Sequence, residues 1–462
     1  MRARLPFSNR ISWQVPVTSP TSTSSTSKFS AGAAQALPGP DWLRQSRQAS
    51  WERFSASELP RESEEIWRYS RIEELELSRY GPCPPGGEVA IDELPGELQA
   101  LVGAVGAEAT VLVSHNGGEG RILNPQNTLR VAAFGDAPLG VGTPPAPVLN
   151  GPAADIWTAL NSAFVQVPWR VTVAAGDTVE RPLVVVHWFD RDGCAVFPRI
   201  EVEVGDNASL RVVEIIASPD VDVLSVPVAH LHLHPGARLG FGHVQLLGGR
   251  AWQLGNQVSR VGKDATLRSM TVALGGHYAR ERTASVLEGP GADSELLAAF
   301  FGAGDQMHDL RTVQHHAAPH TRSDLLFKGA VANKSHSVYS GLIRVEKGAR
   351  GTNAFQTNRN LVLSEGAQAD SVPTLEIEDN DVRCSHASTV GPIDESQLFY
   401  LESRGVPTHA AERLIALGFM EDVLERFPVG DMVGWLSQAV AGKLASAGFA
   451  GPAGPGPGHG AV

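Results

Sequence analysis

The stretch from Pro373 to Gly405, PTLEIEDNDVRCSHASTVGPIDESQLFYLESRG, marks the change from strand-forming to helix-forming sequence in this 462-residue chain. In its first half, Leu375, Ile377 and Val382 stand where alternation with polar residues predicts one inward-facing row of strand residues. We therefore expect the chain before this junction to be built mainly from strands.

The second half of the stretch predicts a helix with defined ends. Asp394 precedes Gln397 by three residues, a spacing typical of a side-chain N-cap, and Gly405 is placed where a helix would stop. Apolar residues recur at helical spacing beyond Pro407, so we expect a small C-terminal group of helices. We expect Leu414 to lie on the inner face of the first of these helices, and we expect Gly418 to interrupt that helix.

Cys384 and His386 lie two residues apart, so both side chains share one face if the strand continues through them. Thiolate sulfur and neutral imidazole both suit iron or zinc, and this pair could contribute to a metal site. Two ligands do not complete such a site. The alternative remains open that Cys384 packs as a small apolar residue and that His386 only forms hydrogen bonds.

Upstream, four segments share one pattern of strand, glycine-containing turn and strand. Their turn glycines, Gly176, Gly205, Gly236 and Gly262, follow one another at 26 to 31 residues, and fainter copies surround Gly291 and Gly348. A strand repeat of this length without intervening helices favours a β-solenoid, whose coils bury their apolar faces by stacking. A jelly roll or β-sandwich is the alternative.

Helical patterns flank the predicted strands on both sides, and Pro60 separates two expected helices near the N-terminus. The sequence thus predicts a mainly β protein with helical domains at both ends. The expected divisions are a disordered extension (1–40), a helical and mixed N-terminal domain (41–160), the β-helix core (161–393), the C-terminal helical domain (394–445) and a flexible tail (446–462).

Composition excludes several classes of function. The formal net charge of −12, from 38 basic and 50 acidic residues, argues against nucleic acid or an anionic membrane as the main partner. Cys83, Cys194 and Cys384 form no C-x-x-C pair, so we expect scattered thiols in a reducing compartment rather than a disulfide framework. No apolar run is long enough to span a bilayer, and we expect a cytoplasmic protein, although the acid-free N-terminal leader overlaps in composition with transit peptides.

Other candidate sites are weaker. Alternating histidines in AHLHLHP would project from one strand face, and a second cluster occupies QHHAAPHT. Either cluster could bind a metal, but no carboxylate stands at compact ligand spacing in the sequence. Asp379, Asp381 and Arg383 could imitate the catalytic group of a carbohydrate-active solenoid enzyme, although a solvated turn is the simpler interpretation. The histidines are His230, His232 and His234 in the first cluster, and His315, His316 and His320 in the second.

Several motifs of the C-terminal half resemble one known family in their order and identity. They are HHAAPHTRSDLLFKG, YSGLIRVEKGARGTNAFQTNRNLVLS, VPTLEIEDNDVRCSHASTVGPID, LFYLESRG and GFMEDVL. They resemble the SufB/SufD family of iron–sulfur cluster assembly proteins, as do LPRESEEIWRYSRI and ALNSAFVQVP nearer the N-terminus. The segment CSHASTVG is most similar to the SufD type.

The resemblance implies a right-handed parallel β-helix core and a non-catalytic scaffold subunit. Its partners would be a SufB-like subunit, forming a heterodimer, and a SufC-like ATPase, with a homodimer as an alternative in isolation. His386 and Cys384 would form a metal half-site at the SufB interface, holding iron or an iron–sulfur cluster transiently. Reduced flavin is associated with the family's complex, but the sequence reveals no flavin site. The implied ATPase-docking residues are Tyr400, Arg404, Gly405, Phe419, Val423 and Leu424.

Two other hypotheses stay open at this point. A SufB-like scaffold would assemble a cluster by itself, although EGAQADSVPTLEI lacks the upstream cysteine that SufB proteins carry there. A β-solenoid enzyme would instead bind and cleave a carbohydrate as a lone chain.

Overall fold

The computed structural model describes residues 28–106, 108–133 and 156–449. Its α-helices are α1 (Ala31–Ala36), α2 (Asp41–Ser55), α3 (Gly96–Ala104), α4 (Ile156–Phe164), α5 (Glu395–Ser403), α6 (Thr408–Leu424) and α7 (Val433–Ser446). Short 3-10 helices span Glu65–Trp67, Ile72–Glu74, Leu77–Arg79, Ile91–Glu93 and Gly430–Met432.

The strands before the regular repeats are β1 (Gly81–Pro82), β2 (Thr110–His115), β3 (Arg121–Leu123), β4 (Arg130–Ala133), β5 (Trp169–Val173), β6 (Leu183–Trp188) and β7 (Cys194–Val196). The following strands are β8 (Arg199–Val204), β9 (Ser209–Ala217), β10 (Val223–Ser225), β11 (Val228–Leu233), β12 (Arg238–Leu246), β13 (Trp252–Val261) and β14 (Thr266–Ala273). The last are β15 (Tyr278–Leu287), β16 (Asp293–Gly302), β17 (Met307–His316), β18 (Arg322–Val331), β19 (His336–Val345), β20 (Thr352–Val362), β21 (Gln368–Ile377) and β22 (Val382–Gly391).

The repeats form a parallel β-solenoid of about eight coils, which confirms the predicted fold class. Each coil gives one strand to each of two facing sheets. Sheet A has the order β21-β19-β17-β15-β13-β11-β8-β5-β4, and sheet B the order β22-β20-β18-β16-β14-β12-β9-β6-β2-β3. Neighbouring strands from successive coils are parallel, as in the pairing of Val202 with Leu231. Because apolar residues recur in register, each coil buries its inner row against the next.

The recurring glycines are explained by the stacking of turns. Gly236 has a φ of +71°, and a Cβ built on it would lie 2.3 Å from Oδ1 of Asn207 in the preceding coil. Gly205 has ordinary backbone angles, yet its Cβ would lie 2.7 Å from the backbone N of Ala175. Gly236 is therefore required by its left-handed backbone conformation, and Gly205 by the close approach of the neighbouring backbone.

The N-terminal helices and the 3-10 segments after them pack on the outer side of sheet A, against residues from β7 to β19. Arg47 on α2 is fully buried, and its guanidinium donates hydrogen bonds to the carbonyl of Val165 at 2.7 and 3.0 Å. Burial lowers the pKa of Arg47 to about 10, because the charged form loses hydration. The edge-on contact of Phe29 with Phe164, at 5.1 Å between ring centroids, adds apolar packing between the start of the described chain and α4.

Two N-terminal expectations differ from the structure. Part of the predicted disordered extension is ordered, since Phe29 is buried and α1 follows it; residues 1–27 lie outside the described residues. The helix expected after Pro60 is wrong, because Trp67 and Ile72 lie instead in separate 3-10 turns. Trp67 and Ile72 are each buried singly, and they do not form one apolar face of a helix.

The boundary of the β-region also differs from the expected position near residue 161. Strand β2 pairs in parallel with β6, so residues 110–115 already belong to sheet B. Strand β1 pairs with β7 and brings Cys83 to Cys194, which are joined by a disulfide. The expectation of three scattered thiols is therefore wrong, and Cys384 is the one free cysteine of the chain.

The C-terminal helices pack on the outer face of sheet B. Met420 of α6 and Leu436 of α7 are buried in one apolar cluster with strand residues such as Val213 and Val244. Lys328 on β18 forms an ion pair with Asp422 and donates a hydrogen bond of 3.1 Å to the carbonyl of Phe419. The helices α6 and α7 are thus anchored to the solenoid both by apolar burial and by charge.

Two helix details differ from the sequence prediction. Helix α6 runs through Gly418 without interruption, because burial of the helix face outweighs the low helix propensity of one glycine. Leu414, expected on the inner face, is 53% exposed. The neighbouring positions Ala411 and Ala416 are buried instead, which allows the helix to approach the sheet closely.

Helix α5 follows directly from β22 and has no buried residue. Its N-cap is confirmed, since Asp394 accepts a hydrogen bond of 2.9 Å from the backbone N–H of Gln397, and Gly405 has the left-handed φ of +84°. Phe449, within the expected tail, packs against the apolar cluster of α6 and α7, while residues 450–462 lie outside the described ranges. In the part of the chain that is described, no helix is long and apolar enough to cross a membrane.

Candidate functional site

The last coil of the solenoid leaves the end of both sheets open. Strand β21 is the edge of sheet A and β22 the edge of sheet B, and each is ten residues long. No described segment pairs with the free side of either strand. Long unpaired parallel edges are uncommon on proteins that act alone, because their free N–H and C=O groups can pair with another chain.

Cys384 and His386 lie in β22 with their side chains on the same side of the strand, as the sequence predicted from their spacing. Cys384 is in register with Ala354 and packs with Ile343 and Val345 of the solenoid interior. His386 is in register with Gln356, whose side chain is buried. The pair therefore belongs to the inward row of the last coil, where His386 is exposed only because no further coil covers it.

The thiol of Cys384 is half-buried, and this burial raises its pKa by disfavouring the thiolate. A metal would have to displace the thiol proton before Cys384 could bind it. The exposed imidazole of His386 is the more accessible ligand of the two.

A column of polar side chains continues inward from the last coil. Ser388 donates a hydrogen bond of 2.7 Å to Ser371 across the interior, and Asn358 donates one of 2.9 Å to the same hydroxyl. The buried amide of Gln356 has no hydrogen-bond partner among the described residues. Burying an unpaired amide costs about 1 to 3 kcal/mol, so this interior is suited to polar occupants rather than to apolar packing alone.

Sequence reasoning missed this polar column. Its signal is present in TNAFQTNRNLV, where the inward positions of β20 include Gln356, Asn358 and Asn360 at the two-residue spacing of a strand. An alternating polar row facing a solenoid interior would have indicated a hydrated or ligand-binding interior at this end.

Apolar side chains surround the same opening. Ile377 and Val390, both in the inward rows of the last coil, are 41% and 43% exposed. Leu375 and Val382 pack against the coil beneath. The predicted inward row is therefore correct, but at the terminal coil it forms an exposed end rather than a closed core.

The residues expected to dock an ATPase do not all share one surface. Tyr400 is 57% exposed, and its ring lies 5.3 Å from the guanidinium carbon of Arg404. Val423 and Leu424 are fully buried against sheet B, so they cannot contact a partner in this conformation. Phe419 is partly buried over the amine of Lys328, and Gly405 is exposed. Phe399, which the prediction omitted, is 71% exposed.

The second histidine cluster is divided between two faces. On the outer face of sheet A, Nε2 of His315 lies 2.8 Å from Oε1 of Glu346. The ring of His316 points into the solenoid and is hydrogen-bonded to Thr321 and Ser323. Burial lowers the pKa of His316 to about 3 and keeps its ring neutral. In the first cluster, His232 and His234 meet a carboxylate from the neighbouring coil.

The expected catalytic carboxylates of a solenoid enzyme occupy the last turn. Asp379 is exposed and accepts backbone hydrogen bonds of 3.0 Å from Gly348 and from Asp381. These contacts lower the pKa of Asp379, because backbone N–H groups favour the charged carboxylate. Asp379 thus stabilises a turn.

Comparison with known proteins supports the resemblance of the sequence motifs. Residues 187–419 match the family model described as SUF system FeS cluster assembly, SufBD core domain. The chain is 30% identical over 397 residues to an iron–sulfur cluster assembly SufBD family protein of Mycobacterium tuberculosis, covering 84% of this chain and 90% of that protein. It is 26% identical over 379 residues to the iron–sulfur cluster assembly protein SufD of Escherichia coli, covering 79% and 85%. Identity to SufD of Bacillus subtilis is 29% over 277 residues, covering 59% and 63%.

Proposed function

Because the chain belongs to the SufBD family of SUF-system iron–sulfur cluster assembly proteins, we propose that it is a SufD-type, non-catalytic scaffold subunit that works only in a complex. In this proposal its open solenoid end pairs with a SufB-like subunit, and its C-terminal helices bind a SufC-like ATPase. The nascent cluster, or its iron, is the cargo of the complex rather than a resident cofactor of this chain.

The observation that carries the proposal is the open terminal coil. The edges of β21 and β22, one in each sheet, both leave backbone groups free at this end, and Ile377 and Val390 in the inward rows of these strands are exposed. A second solenoid end would satisfy the backbone groups and bury this surface in one step. A SufB-like subunit fits this description because it would present matching strands.

The same interface would complete the metal site. His386 offers one exposed imidazole and Cys384 one half-buried thiol, whereas a cluster or a stable metal site requires about four ligands. The chain's other two cysteines are bonded to each other. The missing ligands would come from the partner, so that the cargo is held only in the assembled complex.

The C-terminal helices provide a separate surface for the ATPase. Helix α5 connects β22 directly to α6 and exposes Phe399 and Tyr400. An ATPase bound there would be joined to the metal half-site by a single turn between β22 and α5. ATP-driven movement of α5 could thus open or reshape the shared site, and this gives the scaffold a mechanical role.

The pairing is tested by placing a charge on the open end. Val390→Asp should weaken binding to a SufB-like subunit at least about tenfold, because the carboxylate would be buried without a partner in the interface. The affinity is measured by titration calorimetry on the purified full-length subunits.

The control is Leu414→Asp. Leu414 is an apolar residue that is 53% exposed on α6, which packs on β16 and β18 rather than at the open end. Equal loss of affinity in both variants, or unchanged affinity in Val390→Asp, would refute pairing through the open end.

A further inference from the structure

Glu203, His232 and His234 form a compact group on the outer face of sheet A. His232 of β11 is in direct register with Glu203 of β8, and His234 follows β11 by one residue. The ligand atoms of all three side chains lie within 4.8 Å of one another. In the ranges that the structure describes, this is the one group of three or more His, Cys, Asp or Glu side chains that is so closely spaced.

The solenoid repeat brings this carboxylate to the histidines. Glu203 lies about one coil earlier in sequence than His232 and His234, and parallel stacking places it opposite them. Because Glu203 lies about one coil away in sequence, a search for short ligand motifs would not find it together with the two histidines. The alternation that points Glu203 and His232 outward places Val202 and Leu231 inside.

The geometry is suited to a shared ion. Nε2 of His234 lies 3.0 Å from Oε1 of Glu203, and the rings of His232 and His234, tilted by 31° to each other, have centroids 4.4 Å apart. On its other side, Nδ1 of His234 faces Oδ1 of Asp206 at 3.9 Å. Metal-bound histidines commonly use one nitrogen as ligand and orient the other toward a carboxylate, and Asp206 stands in that position.

The surrounding charges also favour a cation. Arg260 is in register with His232 on the following coil, but its guanidinium is engaged by Glu288 at 2.8 Å. Glu203 and Asp206 leave a net negative charge around the two rings.

We propose that Glu203, His232 and His234 bind a divalent first-row transition metal ion, such as Zn²⁺ or Fe²⁺. Two imidazoles and one carboxylate select such ions over Mg²⁺ and Ca²⁺, which prefer all-oxygen ligands. Three protein ligands leave at least one coordination position open for water or an incoming group. Since the three side chains are half-buried, the ion can exchange with the solvent.

This site is distinct from the open end of the solenoid. Strand β11 is separated from β21 by five strand steps in sheet A, or about 24 Å at the usual strand spacing. It therefore neither shares ligands with His386 nor depends on the proposed pairing. A failure of pairing in the experiments on Val390 would leave this proposal unaffected.

The experiment is a titration of the full-length, untagged chain with Co²⁺, followed by visible absorbance, and a competition with Zn²⁺. A background carrying Cys384→Ser and His386→Ala removes the other candidate ligands. We expect one Co²⁺ per chain and its displacement by Zn²⁺. Glu203→Gln, His232→Ala and His234→Ala should each weaken binding at least about tenfold.

The matched control is His230→Ala, which removes a histidine from the same face of the same strand, where it lies 3.9 Å from Glu201 rather than from Glu203. Its Co²⁺ affinity should equal that of the background chain. As a second measurement, Zn²⁺ should raise the melting temperature of the background chain but not that of His234→Ala. Unchanged affinity in the three ligand variants, or an equal loss in His230→Ala, would overturn the proposal.

Discussion

His386 is the residue on which the proposed cargo site most depends. Its imidazole is exposed at the open end, while the thiol of Cys384 is half-buried and held protonated by its raised pKa. We expect His386→Ala to lower the iron bound per assembled complex at least about tenfold, because an accessible ligand is lost. Cys384→Ser should reduce it less. Iron is quantified colorimetrically after gel filtration of the complex.

The control for this prediction is His409→Ala, which removes an exposed histidine of α6. It should leave both iron content and complex formation unchanged. If His386→Ala retained the wild-type iron content in an intact complex, His386 would be only a structural residue.

At the residue scale, the sequence predicted which side chains share a strand face, because alternation along the strand determines this. It missed the features that depend on how the coils stack. The shared face of Cys384 and His386 followed from a spacing of two. The exposure of His386 did not, because it depends on where the solenoid ends. The disulfide of Cys83 with Cys194 joins residues 111 positions apart, and a sequence without pairing information cannot locate it.

Helix α5 carries the most exposed aromatic surface next to the half-site. Phe399 is 71% exposed and makes no contribution to the core, so its removal should change stability by less than about 0.5 kcal/mol. We expect Phe399→Ala combined with Tyr400→Ala to weaken SufC-like ATPase binding at least about tenfold, because exposed aromatic residues often dominate interfaces. The measurement is calorimetry with the isolated ATPase.

Leu59→Ala serves as the comparison, since Leu59 is an apolar residue that is 48% exposed in the N-terminal segment rather than on α5. Loss of ATPase binding in this variant, or full binding by the aromatic double variant, would contradict docking through α5.

Lys443 makes the attachment of α7 to the solenoid dependent on pH. Its amine donates hydrogen bonds to the carbonyls of Leu274 and Phe301, and burial lowers its pKa to about 7. In the unfolded chain this lysine has an ordinary pKa of about 10.4. Between pH values of about 7 and about 10.4 the unfolded chain therefore binds more protons than the folded chain. The free energy of unfolding should therefore rise as the pH increases from about 7 to about 9.

Lys443→Met should reduce this rise, because the variant has no amine to deprotonate on folding. The exposed Lys334→Met is the control and should retain the wild-type dependence. The comparison uses urea unfolding at each pH. A stability curve in Lys443→Met identical to that of the wild type would show that Lys443 does not couple to folding.

At the element scale, the predicted ends of helices were more reliable than their faces. Asp394 and Gly405 act locally, through one side-chain cap and one left-handed residue, and both were predicted. Leu414 and Gly418 were misassigned because the face of α6 is chosen by its contact with sheet B. That contact favours small residues and cannot be seen in the helical spacing alone.

At the scale of the whole molecule, the two ends of the solenoid differ. The first coils end in the short antiparallel strands β3 and β4, the N-terminal helices pack on the outer side of sheet A, and sheet B is covered by α6 and α7. The last coil exposes its strand edges, its apolar row and the half-site. This asymmetry followed in part from the sequence, which placed helices at both ends of the repeats. The open end of the last coil did not, because a helical pattern beside the repeats does not show whether the helix covers the edge of the last strands.

The central claim is that this chain supplies half of a site that a SufB-like subunit completes. It is tested most directly by anaerobic reconstitution with iron, sulfide and reductant, with and without that subunit, and with iron–sulfur absorbance recorded on the gel-filtered protein. We predict a stable cluster band when the complex is reconstituted and His386 is present, and none from the lone chain. A stoichiometric cluster on the lone chain would contradict the account, as would an unchanged band in the complex carrying His386→Ala.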